Sequence, residues 1–280
     1  MVDNSVDLVG EWTEVKLQII REYAQAYAKI MAQQAYIKHY AYIDGFAGSG
    51  THVSKTSGAM IYGSPAIALE TKPPFTCYHF IDLDGTKADC LRSLAEGRRD
   101  VSVYEEDCNR ALIEKIFPDY GYETFRRALC LLDPYDLNPN WEVIRMAASL
   151  RTIEIFLNFM ISDANRNIFW LNSQDVSESQ IRRMSAFWGD DSWRSIAYEK
   201  TQGLFEEMEE KTSNETVAHA YQKRLVEIAG FKYVPDPIAM KNSKGSTLYY
   251  LFFASHNKTG AKIAGHIFDT YRTRGITYGG

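Results

Sequence analysis

The chain has 280 residues, 45% hydrophobic and 24% charged, with a formal charge of −5. That is enough apolar material for one large core, or a core with an appended subdomain, and the acidic balance argues against gripping a nucleic-acid duplex through the whole surface. No stretch approaches the roughly 20 apolar residues of a membrane span, Met1 to Gly10 lacks the blocks of a secretory signal, and a cytoplasmic location is the default expectation.

From Glu14 to Ala32 apolar residues recur at helical spacing, with Thr13 as a plausible N-cap. Tyr40 to Asp44 reads as a short strand ending in an acid and a glycine-rich turn. Thr51 to Gly63 is small, polar and irregular, a candidate flexible loop. Ser64-Pro65 then opens a helix to Glu70, with serine as cap and proline in the first turn. A strand-helix beat follows: strands at Cys77 to Asp82, Val101 to Glu105, Ala128 to Leu132 and Thr152 to Phe159, helices at Thr86 to Glu96, Arg110 to Phe117 and Trp141 to Leu150. Such alternation predicts a doubly wound α/β fold with a mostly parallel sheet, and the apolar run Ala128 to Leu132 suits a strand buried on both faces.

Beyond Met160 the chain becomes polar and tryptophan-rich. Residues 161–212 read as a helical or irregular insertion covering a substrate face, between a core at 1–160 and a segment at 213–280 that completes the sheet. In that last segment a helix is expected at Glu215 to Ala229, strand-like runs at Phe231 to Met240 and Thr247 to Ser255 as a terminal antiparallel pair, and a helix near Gly260 to Tyr271. The four cysteines form no C-x-x-C pair, so neither a zinc site nor a disulfide framework is suggested. Arg92, Arg98, Arg99, Arg126, Arg127, Arg182 and Arg183 come in clusters that are more often solvated helix faces than binding grooves.

Four segments lie at the predicted carboxyl ends of strands, where open α/β sheets bind ligands: Asp44 to Gly50, Asp82-Leu83-Asp84, Asp107-Cys108-Asn109 and Asp133-Pro134-Tyr135. The first ends in G-x-G without the longer G-x-G-x-x-G that seats a pyrophosphate. Gly48 and Gly50 permit close backbone approach by a ligand lacking phosphate, such as S-adenosylmethionine, with Asp44 and Phe46 beside it. Asp82 is placed to accept ribose hydroxyls, and Asp84 is the neighbour that could instead cap a helix. Asp107 can receive an adenine amino group and Cys108 can offer its backbone N–H, although Asp107 or Asn109 could equally be a helix cap. At Asp133-Pro134-Tyr135 a carboxylate and a carbonyl can accept the hydrogens of an exocyclic amine while a ring stacks on the base. The plainer alternative there is a proline turn after a buried strand.

Taken together, the four segments look like those of an S-adenosylmethionine-dependent methyltransferase, which implies a Rossmann-like class I methyltransferase fold. More specifically, Trp12 to Leu17, Tyr42 to Gly48, Gly63 to Ala68, Leu132 to Tyr135, Leu157-Asn158-Phe159 and Phe187 to Trp193 resemble the three-Cys-motif partner family, TcmP. That resemblance implies a bacterial or phage-associated protein, encoded beside a three-cysteine partner resembling radical S-adenosylmethionine enzymes. A more distant similarity runs to the large-subunit rRNA adenine methyltransferases, which share the glycine block, the Gly-Ser-Pro helix start and an Asp-Pro-Pro-Tyr motif. Here one proline is missing and Asp136 follows Tyr135. This similarity implies an RNA or DNA substrate, and it nominates Lys16 as a lysine near the cofactor, whereas its helical context alone reads as exposed.

Overall fold

The structure, a computed structural model, describes residues 7–55, 57–170, 175–202 and 207–273. Strand β1 (Asp7–Val9) runs straight into helix α1 (Glu11–Ala32), so the helix starts three residues before the predicted Glu14 and is capped by Gly10, not Thr13. The Trp12 indole folds back over that cap, where a Cβ would lie 2.4 Å from the ring, so a larger residue would displace it. After β2 (His39–Asp44) the predicted loop is instead a hairpin, β3 (Thr51–Ser54) and β4 (Met60–Tyr62). It pairs with β1 in a small three-stranded sheet and is pinched at its base by the Gly63 N–H donating to Gly50 O at 2.9 Å.

Helix α2 (Ser64–Glu70) keeps the expected proline in its first turn, but its N-cap is Gly63. The Ser64 hydroxyl is directed to Asp44 instead, at 2.6 Å. Next come β5 (Cys77–Asp82), α3 (Gly85–Leu94), β6 (Val101–Glu105) and α4 (Cys108–Arg110). A π-helical turn, Ala111–Ile116, prolongs α4. Strand β7 (Arg126–Leu132), α5 (Trp141–Leu150) and β8 (Ile153–Phe159) follow the predicted boundaries closely. The expected insertion contains α6 (Ile161–Asn167), α7 (Glu178–Trp188) and α8 (Trp193–Ala197). It also holds an antiparallel strand pair that the sequence reading did not anticipate, β9 (Tyr198–Gln202) with β10 (Glu207–Lys211). Helix α9 (Asn214–Glu227), β11 (Ile238–Lys241), β12 (Thr247–Ala254) and α10 (Lys258–Thr273) complete the chain. Of the run Phe231 to Met240, only the end is strand; Tyr233 contributes an isolated bridge to Ser255. Among the described residues, no helix is long and apolar enough to cross a membrane.

The main sheet has seven strands in the order β6-β5-β2-β7-β8-β12-β11. The first five are parallel, and β12 is antiparallel to both β8 and β11. The chain starts at the centre with β2, steps outward through β5 and β6, then returns to β7 on the other side of β2. The topological switch point therefore lies between β2 and β7, where ligand crevices form in such sheets. This strand order, with one antiparallel strand set between the last two parallel positions, is that of the class I methyltransferase fold.

Each strand side feeds a separate core. On β7, Ala128, Cys130 and Leu132 face the side covered by α5, α7 and α9, while Leu129 and Leu131 face α1 and α10. Strand β8 is buried along its whole length, yet two polar residues, Glu154 and Asn158, share a face with Phe156 and point toward α1. Burying polar groups costs free energy unless they are hydrogen-bonded, and both find partners: Tyr23 on α1 donates to Glu154, and Asn158 donates to Asp133 at the end of the neighbouring β7.

Candidate functional site

At the end of β2 the chain makes a tight turn that only glycines can complete. The Gly45 N–H extends the ladder to Leu131 O at 2.9 Å, and a Cβ on Gly45 would press to 2.7 Å from Cys108 Sγ. Gly48 has φ of 62°, with open space where a side chain would be. Its N–H donates to Asp82 Oδ2 at 2.8 Å, tying the end of β5 to the turn. Gly50 has φ of 82° and packs on Leu94, so it shapes the turn from below. The other Asp82 oxygen accepts the Asp84 N–H at 2.9 Å, while Asp84 caps α3 through Thr86 and Lys87. Asp107 caps α4 by accepting from Arg110 N–H at 3.0 Å. Asn109 is buried and grips the next loop, accepting from Asn140 N–H at 2.7 Å. A cleft of about 370 Å³ opens over these strand ends, lined by Phe46, Asp82, Asp84, Asp107, Cys108 and Tyr135.

Asp44 lies beneath the turn and lines neither this cleft nor the one beside it. It is fully buried, accepting from Ser64 and, at 3.2 Å, from Phe46 N–H. Burial pushes its carboxyl up to about 7, against the opposing pull of the Ser64 hydrogen bond. The folded protein therefore holds a proton that the unfolded chain releases at the ordinary carboxylate pKa, and Asp44 costs stability as pH rises from about 4 toward 7. The Asp44→Asn variant keeps an acceptor for Ser64 and removes this titration. Its unfolding midpoint in urea, relative to the wild type, should rise between pH 5 and pH 7.5; a difference independent of pH would refute the assignment.

The second cleft, of about 260 Å³, sits on the α1 side of the same edge, at the end of β7. One Asp133 carboxylate oxygen pairs with the Lys16 ammonium and the other accepts from the Asn158 amide. The expectation of an exposed Lys16 is thus corrected: its side chain is 8% exposed, against 20% for Asp133. The amphipathic helix turns this lysine inward because a counter-charge waits there, and its ammonium also lies 5.6 Å from the centre of the Tyr249 ring. The Asn158 carbonyl oxygen is buried, with no hydrogen-bond partner among the described residues. Pro134 lines the cleft between Asp133 and Tyr135. Tyr135 is 70% exposed, with Lys87 at 5.2 Å from its ring. Phe46 and Tyr135 line both clefts.

The loop that carries Tyr135 is braced from the insertion. Arg183 on α7 reaches Asp136 at 3.2 Å and Asp163 at 2.8 Å. The expected arginine clusters are mostly paired in this way: Arg92 with Asp89 and Glu105, Arg98 with Asp100, Arg126 with Asp119 and Arg182 with Glu178.

Sequence reasoning gave no role to Asn158, Trp12, His52 or Tyr249, all of which line the second cleft. Trp12 and Asn158 stand in segments that carry the family resemblance, and Asn158 is also a polar interruption in an apolar strand, at the same parity as Glu154. The others come from elements far apart in the chain, and only the fold brings them together.

No protein-family model matches the chain, and neither does any curated protein. Among solved structures it is similar to protein LPL1258 from Legionella pneumophila, family model DUF519, at 11% identity over 91% of this chain and 92% of that one, with a TM-score of 0.48. It is also similar to the DszA carbon methyltransferase, at 12% identity over 82% of this chain and 50% of that one, TM-score 0.39. An O-methyltransferase family protein from Burkholderia thailandensis matches at 14% identity over 88% of this chain and 59% of that one, TM-score 0.34. At these scores the likenesses add nothing to what the strand order already shows.

Proposed function

We propose that the chain is an S-adenosylmethionine-dependent methyltransferase acting on an exocyclic base amine, adenine in RNA or DNA, in a bacterial or phage setting and in the cytoplasm. The observation that carries this reading is the pair of clefts that share Phe46 and Tyr135 at the switch point. One presents carboxylates suited to a nucleoside; the other presents a carboxylate suited to an amine. The residues fit the cofactor: the space beside Gly48 is open, and Asp82, with one protein donor on each oxygen, keeps acceptor capacity for ribose hydroxyls.

When bound, S-adenosylmethionine supplies a methyl group already activated by the sulfonium charge. Asp82 would hold its ribose, Asp107 and the Cys108 N–H would address its adenine ring, and Gly48 would let the backbone approach closely. Lys16, in the second cleft, would lie near the cofactor's amino-acid end, and its ammonium is paired with the Asp133 carboxylate. Asp133 and the Pro134 carbonyl accept the hydrogens of the substrate amine, whose lone pair is otherwise delocalised into its ring, and Tyr135 stacks on the base. A base within a duplex is flipped out first. Residues 161–212 act as a cover on the substrate side, a role supported by the Arg183 brace on the Asp136 loop.

The test is calorimetric titration of the chain with S-adenosylmethionine and its demethylated product, with Asp82→Ala as the control. Micromolar binding should weaken about tenfold or more in the variant, the scale of one charge-assisted hydrogen bond. Absence of binding to the folded wild type would overturn the reading. A second reading, a non-catalytic partner of a three-cysteine protein related to TcmP partnerships, is favoured by one observation: both Asp133 oxygens already have donors from this chain. Methyl transfer that needs only this chain and a nucleic acid would eliminate it.

A further inference from the structure

At the opposite edge of the sheet, where β7 and β8 begin and β12 ends, lies a separate cleft of about 640 Å³. Lys16 and Tyr27, which face the two edges, are separated by three turns of α1, roughly 16 Å along its axis. Arg127, Arg151 and Lys232 all line this cleft, and among the described residues none of them pairs with a carboxylate. Three such cations in one cleft are unexpected in a chain of net charge −5 whose other arginines are mostly paired.

The lining is built as well as charged. The Tyr27 hydroxyl, on a residue only 3% exposed, has no hydrogen-bond partner among the described residues. The His256 Nε2–H donates to Ala148 O at 2.8 Å, which leaves Nδ1 to act as an acceptor, and burial lowers the ring's pKa. That Nδ1 is also buried, with no hydrogen-bond partner among the described residues. Two rings stand at the rim, Tyr36 at 61% and Tyr122 at 62% exposure, with the Arg127 guanidinium 5.6 Å from the Tyr122 ring. Among the described residues Glu154 is the one acid in the lining, and it is held by Tyr23 and Ser255.

We propose that this cleft binds a nucleoside monophosphate, with the phosphate against Arg127, Arg151 and Lys232, ribose hydroxyls at Tyr27 and His256, and the base on the exposed tyrosines. Unpaired cations supply the charge-assisted contacts that a phosphate needs. Tyrosine faces supply stacking that tolerates any base, and the two orphaned polar atoms gain partners only when a ligand with hydroxyls enters.

The probe is uridine 5′-monophosphate, followed by calorimetry at low and moderate salt. The control is the double variant Arg151→Gly with Lys232→Glu. Arg151 has φ of 60°, so glycine removes the guanidinium without backbone strain, and Lys232 is exposed. Expected are saturable, salt-sensitive binding to the wild type and a loss of about tenfold or more in the double variant, whose unfolding midpoint is unchanged. A 5′-phosphorylated oligonucleotide run in parallel separates the sources: a free nucleotide if uridine monophosphate alone binds, the end of a strand if the oligonucleotide binds more tightly. No saturation by either at millimolar concentration overturns the proposal. So does equal affinity in the double variant, or equal affinity for uridine or inorganic phosphate alone.

Discussion

Asp133→Asn should lower methyl transfer by about 10²- to 10³-fold while leaving S-adenosylmethionine affinity within about threefold, an effect on the scale of removing one preorganised electrostatic contact. The wild-type carboxylate offers two oxygens, each addressed by one donor, Lys16 and Asn158. Asparagine has a single acceptor oxygen, and its amide would point hydrogens at whichever donor it fails to accept from. The variant therefore removes the negative charge that draws an amine's hydrogens and also loosens the frame that aims it. The affinity should be nearly indifferent because Asp82 and Asp107 line the other cleft, across Phe46 and Tyr135 from the change. The measurement is transfer of labelled methyl into adenine-containing RNA and DNA, alongside the binding titration. Wild-type turnover in Asp133→Asn would remove the role assigned to this carboxylate, and a parallel loss of cofactor affinity would relocate it to cofactor binding.

Much of this arrangement is legible along the sequence because the physics that fixes it is local. The β7 run is apolar at every position from Ala128 to Leu132, so it can only be a strand covered on both sides. The acids that follow such strands then fall at one edge of the sheet. Asp84 is likewise recognisable as a cap because it stands immediately before the helix it serves. What escapes is set by partners distant in sequence. The segment from Thr51 to Gly63 is small and polar, and it becomes a hairpin because β1 lends it a parallel neighbour and Gly50 meets Gly63 at its base. Ser64 would read as a cap anywhere else; here a buried Asp44, twenty residues earlier, takes its hydroxyl. Periodicity on α1 marks Leu17, Ile20 and Tyr23 as buried, but nothing in it marks Lys16, whose counter-ion is 117 residues away.

That ion pair carries the largest stability effect expected of a single side chain at the site. Lys16→Met keeps much of the aliphatic length of the side chain while removing its charge, leaving the Asp133 carboxylate with Asn158 alone. Removing one partner of a buried pair typically costs about 3–5 kcal/mol, because the remaining charge is stranded in a poor solvent. Asp133 retains 20% exposure, so water recovers part of that loss and the expected cost is about 2 kcal/mol. The double variant Lys16→Met with Asp133→Asn leaves no unpaired charge, and a well-packed neutral pair can match a buried ionic one. It should be more stable than Lys16→Met alone, and the cycle should return a coupling of about 1–2 kcal/mol between the two positions. Urea unfolding of all four proteins at neutral pH measures this. If the effects simply add, the lysine is held by its methylene packing against the α1 face of the sheet and not by its charge.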